Sequence, residues 1–95
     1  MTKSQSGSVW KVSFSPAAER SLGRLDNTIQ RDILRYLRDR IAVRHDPRRF
    51  GKPLQGPLGG LWRYRVRDCR IICKIDDGEI TVLVLAIGHR RDIYK

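Results

Sequence analysis

The 95 residues are enough for one domain with one compact core. Twenty Lys and Arg stand against ten Asp and Glu, a net charge of +10 at pH 7. Self-repulsion on that scale costs stability, so the composition implies an anionic partner: nucleic acid, an anionic membrane surface or an acidic protein. No window approaches the roughly 18 consecutive apolar residues of a membrane span. The lysine near the N-terminus has no apolar segment behind it, which speaks against a secretory signal.

In chain order, residues 1–8 are polar and glycine-containing and read as a disordered tail, leaving a single domain over 9–95. Trp10, Val12 and Phe14 alternate with Lys11 and Ser13, the pattern of a half-buried strand. Ser15-Pro16 then supplies an N-cap and a first-turn proline. Ala18, Leu22 and Leu25 continue at helical spacing, with Gly23 weakening the last turn. Asp26 or Asn27 caps a longer helix in which Ile29, Ile33, Leu37 and Ile41 repeat every four residues, and which fades by His45. A turn this short folds the two helices into an antiparallel hairpin. Three prolines and four glycines between Pro47 and Gly60 predict a connecting loop.

Three strands complete the chain. Over Leu61–Arg67, Trp62, Tyr64 and Val66 face one way and Arg63, Arg65 and Arg67 the other. A tight turn near Asp68 leads to a strand with Cys69, Ile71, Cys73 and Ile75 on one face and Arg70 and Lys74 on the other. Cys69 and Cys73 sit about 13 Å apart along it, too far for a disulfide, and read as small core side chains in a reducing cytoplasm. Asp76-Asp77-Gly78 marks a hairpin turn. Ile80–Ile87 is apolar on both faces, as in a central strand, and Gly88 is expected to end it. The fold class is α+β in the order β-α-α-β-β-β, a helical hairpin packed on one face of a small twisted, mainly antiparallel sheet.

The chemistry concentrates on the basic face. Arg63, Arg65 and Arg67 recur about 6.6 Å apart, and Arg70 and Lys74 of the next strand can land beside them. Guanidinium forks bind phosphate oxygens bidentately and stay charged at any cellular pH. A solvated outer sheet face also carries Arg and Lys, so the alternation leaves both readings open. Trp62 and Tyr64 are better placed to pack in the core than to stack on bases. Arg48, Arg49 and Lys52, in the loop, read as phosphate-positioning charges. His89 and Tyr94 add titratable groups beyond Gly88. No phosphate loop, dinucleotide motif, metal-ligand cluster or nucleophile context competes.

Four segments resemble the RelE/ParE toxin superfamily: Gly51–Gly56, Leu61–Arg67, Cys69–Ile75 and the ending from Ile87 to Tyr94. The element order resembles it too, over nearly all of Val9 to Lys95. The RelE resemblance implies a toxin of a type II toxin–antitoxin pair, a cytoplasmic endoribonuclease without metal or cofactor that cleaves messenger RNA in the ribosomal A site. By that resemblance Arg63 and Arg65 stand where the family has two catalytic lysines. Arg70 matches an arginine that holds the scissile phosphate, and Arg90 matches a second phosphate or leaving-group arginine. Tyr94 matches a tyrosine that orients the substrate near its 2′-hydroxyl. Lys52, Arg67, Lys74, Arg91 and Arg49 would grip RNA. An arginine cannot give up its proton as a lysine can, so Tyr94 and His89 are the candidate bases. The implied partners are a cognate acidic antitoxin, the ribosome and its message, and promoter DNA only through the antitoxin, with no membrane. Two alternatives are a ParE-like inhibitor of DNA gyrase and a non-catalytic RNA-binding module.

Overall fold

The structure, a computed structural model, describes residues 8–89. Strand β1, Lys11–Phe14, runs into Ser15, whose side chain caps helix α1, Pro16–Gly23, by accepting from the Ala18 N–H at 3.0 Å. The Ser15 hydroxyl also donates to the Leu85 carbonyl, which ties the start of the helix to the sheet. Asp26 caps helix α2, Asn27–Tyr36, through the Thr28 N–H. A π-helical turn over Leu37–Ile41 extends α2 and turns both Leu37 and Ile41 into the core. N-cap residues and helical spacing thus locate both helices. The widened final turn has no signature in the four-residue apolar repeat.

The stretch from Pro47 to Gly60 is more structured than a plain loop. It holds two short 3-10 turns, Pro47–Phe50 and Gly56–Leu58, and a two-residue strand β2, Lys52–Pro53. So short a strand, with a proline in it, carries no alternation to read. Strands β3, Trp62–Val66, and β4, Cys69–Asp76, precede β5, Thr81–His89. Gly88 does not end the last strand: it pairs with Arg70, and the ladder continues to His89 opposite Cys69.

The sheet order is β1-β5-β4-β3-β2, with β1 parallel to β5 and the other pairs antiparallel. This is the expected α+β architecture, with β5 in the interior as its two apolar faces require. Ala18, Ile33, Leu37 and Ile41 from the helical layer meet Tyr64, Val66, Cys69, Ile71, Cys73, Val82, Val84 and Ile87 from one sheet face. Tyr64 is wholly buried and donates its hydroxyl to the Pro47 carbonyl at 2.7 Å. A Cβ on Gly51 would come within 3.1 Å of the Tyr64 ring, so a larger residue here would push the loop and β3 apart by a few tenths of an ångström. Both cysteines are free and buried on the core face, where burial pushes the Cys73 thiol up to about 12.

Candidate active site

Cross-strand pairing decides which charged side chains share a face, because direct partners point the same way. Lys52 of β2 is opposite Arg63 of β3, and Arg63 is opposite Ile72 of β4. Arg65 is directly opposite Arg70. Arg70 in turn faces Gly88, and Lys74 faces Leu83. Lys52, Arg63, Arg65, Arg70 and Lys74 therefore occupy the sheet face turned away from the helices. Gly88 presents no side chain beside Arg70, so the centre of this surface is open to an approaching group.

The face is not an ordinary solvated exterior. Ile72, in its middle, is only 4% exposed. The Nε of Arg63 and the Nε and Nη1 of Arg70 are buried without a hydrogen-bond partner among the described residues. Charged donors withdrawn from water and left unpaired are costly unless an anion meets them. The arrangement suits a phosphodiester, whose non-bridging oxygens accept from guanidinium groups on adjacent strands.

Arg67, Arg49 and Arg48 are placed elsewhere. Arg67 falls in the β3–β4 turn with φ 56°, and its Nε donates to the Asp32 carboxylate of α2. The period-two row of Arg63, Arg65 and Arg67 is thus broken at its third member. Alternation holds only while the backbone stays extended, and the turn rotates Arg67 to the helix side. Arg49 lies 4.7 Å above the Phe50 ring, which Arg40 of the π-helical turn also approaches at 5.2 Å. Its ring contact is thus with its own loop turn.

His89 also departs from expectation. Its pairing with Cys69 places it on the core side of the ladder, opposite to Arg70. Arg90, Arg91 and Tyr94 lie outside the described residues, as do the first seven residues of the expected tail.

The loop beside the site is held by a residue read from sequence as a phosphate contact. Arg48 makes two hydrogen bonds to Asp77, at 3.1 and 2.6 Å, and a third to Asp46 at 3.2 Å. Its guanidinium also sits over the Trp62 ring, 5.9 Å from the centroid. The bonds from Arg48 keep the Asp77 carboxyl below the usual carboxylate range. Arg48 therefore joins the Pro47–Phe50 turn to the β4–β5 hairpin, and its charge is already satisfied. Nothing local in the sequence signals a partner 29 positions away.

A family model described as ParE toxin of type II toxin-antitoxin system, parDE, matches residues 12–94. Toxin RelG of Mycobacterium tuberculosis is 33% identical over 86 residues, covering 90% of this chain and 97% of the relative. Toxin RelE of the same organism is 31% identical over 86 residues, covering 90% of this chain and 87% of the relative. Among solved structures, the toxin–antitoxin complex RelBE2 from Mycobacterium tuberculosis contains a chain that aligns with a TM-score of 0.79 at 30% identity. That alignment covers 90% of this chain and 95% of the other.

Proposed function

We propose that this chain, which belongs to the RelE/ParE superfamily of toxins of type II toxin–antitoxin systems, is an endoribonuclease that cleaves messenger RNA in the ribosomal A site. One observation carries the reading: Arg65 and Arg70 oppose each other beside Arg63, with guanidinium nitrogens of Arg63 and Arg70 buried and unpartnered among the described residues. The names of the Mycobacterium tuberculosis relatives, toxins RelG and RelE, support the same choice within the superfamily.

The reaction is a transesterification. The ribose 2′-hydroxyl loses its proton to a base, and its oxygen attacks the adjacent phosphorus in line. The bond from phosphorus to the 5′-oxygen breaks, and that oxygen takes up a proton. The products are a 2′,3′-cyclic phosphate and a 5′-hydroxyl. Negative charge grows on the non-bridging and leaving oxygens, where fixed guanidinium groups stabilise it more than in the ground state. In this proposal Arg63, Arg65 and Arg70 hold the phosphate, and Arg90 faces the leaving oxygen. Arginine keeps its proton, and the pairing of His89 sets it on the other side of the ladder. Tyr94 is therefore the group assigned to orient or deprotonate the 2′-hydroxyl. Lys52, Lys74 and Arg91 contribute phosphate contacts along the message. The guanidinium array supplies the charge that a metal would otherwise bring, so the proposed route uses none.

Such a toxin acts where ribosomes are, in the cytoplasm. No helix among the described residues is long and apolar enough to cross a membrane. Its proposed restraint is an acidic antitoxin whose charge complements +10, and promoter DNA is reached only through that partner. The solved relative from Mycobacterium tuberculosis is itself a toxin–antitoxin complex.

Primer extension on ribosome-bound message tests the activity. Cleavage within A-site codons is expected from the wild type, abolished in Arg70→Ala and strongly reduced in Tyr94→Ala; undiminished cleavage in both variants would remove the mechanism. The family-model match to ParE toxins favours a second reading, inhibition of DNA gyrase. A supercoiling assay run beside the ribosome assay separates the two.

A further inference from the structure

Arg40, Phe50 and Arg49 form a stack beside β3 that belongs to neither the sheet arginines nor the core. We propose that this stack is a second phosphate clamp, which grips the RNA backbone where the strand leaves the sheet face and rounds the margin of β3. The substrate, RNA, is taken from the nuclease reading, but the binding chemistry stands apart from catalysis.

Two cations share one ring. The Arg49 guanidinium carbon lies 4.7 Å from the centroid of the Phe50 ring, and that of Arg40 lies 5.2 Å from it. Arg40 is also over the Tyr36 ring, at 5.9 Å. Phe50 is 36% exposed, so its ring is only partly committed to the core. Neither arginine makes a salt bridge among the described residues. Asp39, next to Arg40 in the π-helical turn, is bonded to Arg38 at 2.8 Å, and Asp46 is bonded to Arg48. Two guanidinium groups gathered without a carboxylate repel each other, and an incoming anion relieves that repulsion.

The ring prepares the cations for phosphate. A guanidinium stacked on an aromatic face keeps its plane while its N–H edge stays free. Such edges donate in pairs to phosphate oxygens. Less side-chain freedom is lost on binding than from a bare surface arginine.

Placement favours RNA as the ligand. The β2–β3 ladder stops at Lys52 opposite Arg63, so among the described residues no strand lies beside the rest of β3 on that side. Phe50 is two residues before Lys52, within about 7 Å along an extended chain. Lys52 shares the sheet face with Arg63, Arg65 and Arg70. Arg40 lines a shallow cavity of about 300 Å³ with Tyr36, Asp39 and Val66 of β3, and the Tyr36 ring is 6.1 Å from that of Tyr64. The clamp therefore stands at the open margin of the strand that carries Arg63 and Arg65. An RNA strand that passes Arg63 and Lys52 and continues over this margin meets Arg49 and Arg40 next. That continuity selects RNA over an acidic protein, whose carboxylates the same guanidinium edges would accept.

The test is fluorescence anisotropy of the whole chain with a labelled uridine nonamer whose 2′-oxygens are methylated, which blocks attack on phosphorus. Arg40→Gln/Arg49→Gln is expected to bind it about tenfold more weakly at low salt. The slope of log affinity against log salt should flatten by about 1.4, the value for two phosphates on a single strand. Phe50→Leu, which keeps both charges, is expected to bind about threefold more weakly with the slope preserved. Arg20→Gln/Arg24→Gln removes the same charge beside α1 and should stay within about twofold of the wild type. Unchanged binding in the Arg40/Arg49 or the Phe50 variant, or an equal loss in the Arg20/Arg24 variant, would overturn the clamp. So would unchanged RNA binding alongside lost binding of an oligoglutamate peptide, which would assign the arginines to an acidic protein. Clamp-dependent RNA binding without message cleavage in the primer-extension assay would remove the nuclease and keep the clamp. Message cleavage with RNA affinity unchanged in Arg40→Gln/Arg49→Gln would do the reverse.

Discussion

Arg65 and Arg70 are direct partners across the β3–β4 ladder, two cationic side chains set side by side on one sheet face. Like charges directly opposite each other destabilise a sheet, typically by about 0.2–1 kcal/mol. A site that binds phosphate accepts that cost, because the repulsion is relieved when the anion arrives. Arg65→Gln is accordingly expected to raise the midpoint of thermal unfolding by a few degrees while lowering cleavage. A calorimetric scan beside the ribosome assay reads both effects, and a variant both less stable and fully active would contradict this account.

Arg70 is expected to matter most for chemistry, since its Nε and Nη1 are already desolvated and aimed at no partner among the described residues. Removal of one fixed donor to a developing oxyanion typically costs about 10²–10³-fold in rate. Arg70→Ala should show a loss of that order in single-turnover cleavage on ribosomes. Arg70→Lys should recover only part of it, because an ammonium group cannot reproduce the fork.

Arg67 provides the internal contrast. It is bonded to Asp32 on the helix side, so Arg67→Ala should leave cleavage within about twofold of the wild type, whereas Arg65→Ala should not. The pair is solvent-exposed, and a double-mutant cycle with Asp32→Asn should return a coupling of about 0.2–1 kcal/mol in stability. A cleavage defect in Arg67→Ala as large as that of Arg65→Ala would return this residue to the RNA-binding face.

Arg48 should act on loop order rather than on RNA. Its bonds to Asp77 and Asp46 are largely exposed, so Arg48→Ala should cost only about 1 kcal/mol after solvent screening. Amide exchange at Phe50 and Gly51 should quicken. The Asp77 carboxyl titrates below its usual value in the fold because Arg48 bonds to its ionised form. That contribution is present above the ordinary carboxylate range and fades as pH falls through the folded value. The stability gap between wild type and Arg48→Ala should therefore close below about pH 4.

Cys73 governs the alkaline limit. Burial pushes its thiol up from the ordinary 9.0 to about 12, and burial raises the Tyr64 phenol as well. A raised acid stabilises the fold below its unfolded pKa and loses that contribution as pH rises toward the folded value. Stability should decline between about pH 9 and 12, and Cys73→Ala should lessen the slope by about 1.4 kcal/mol per pH unit. Denaturant midpoints at pH 8, 10 and 11.5 would measure it; an unchanged slope would mean that the thiol ionises freely in the fold.

The sequence by itself determined the helical layer and the main strands. Ser15-Pro16 and the Asp26-Asn27 pair give the helix starts, the Ile29–Ile41 repeat gives the buried stripe, and alternation around Trp62, Tyr64 and Val66 gives the core face of β3. These are local signals, because a periodic apolar pattern fixes which face turns inward before any partner is known. It also supplied the pair of strands that bring Arg63, Arg65 and Arg70 together, since a short antiparallel turn leaves few registers. Only the tertiary structure decided where Arg67, His89 and Arg48 belong. A positive φ at Arg67, the continuation of β5 through Gly88, and an ion pair spanning 29 positions all depend on how distant segments meet. Alternation cannot see a turn that rotates a side chain to the other layer, and charge counting cannot distinguish an arginine already paired from one left open to a phosphate.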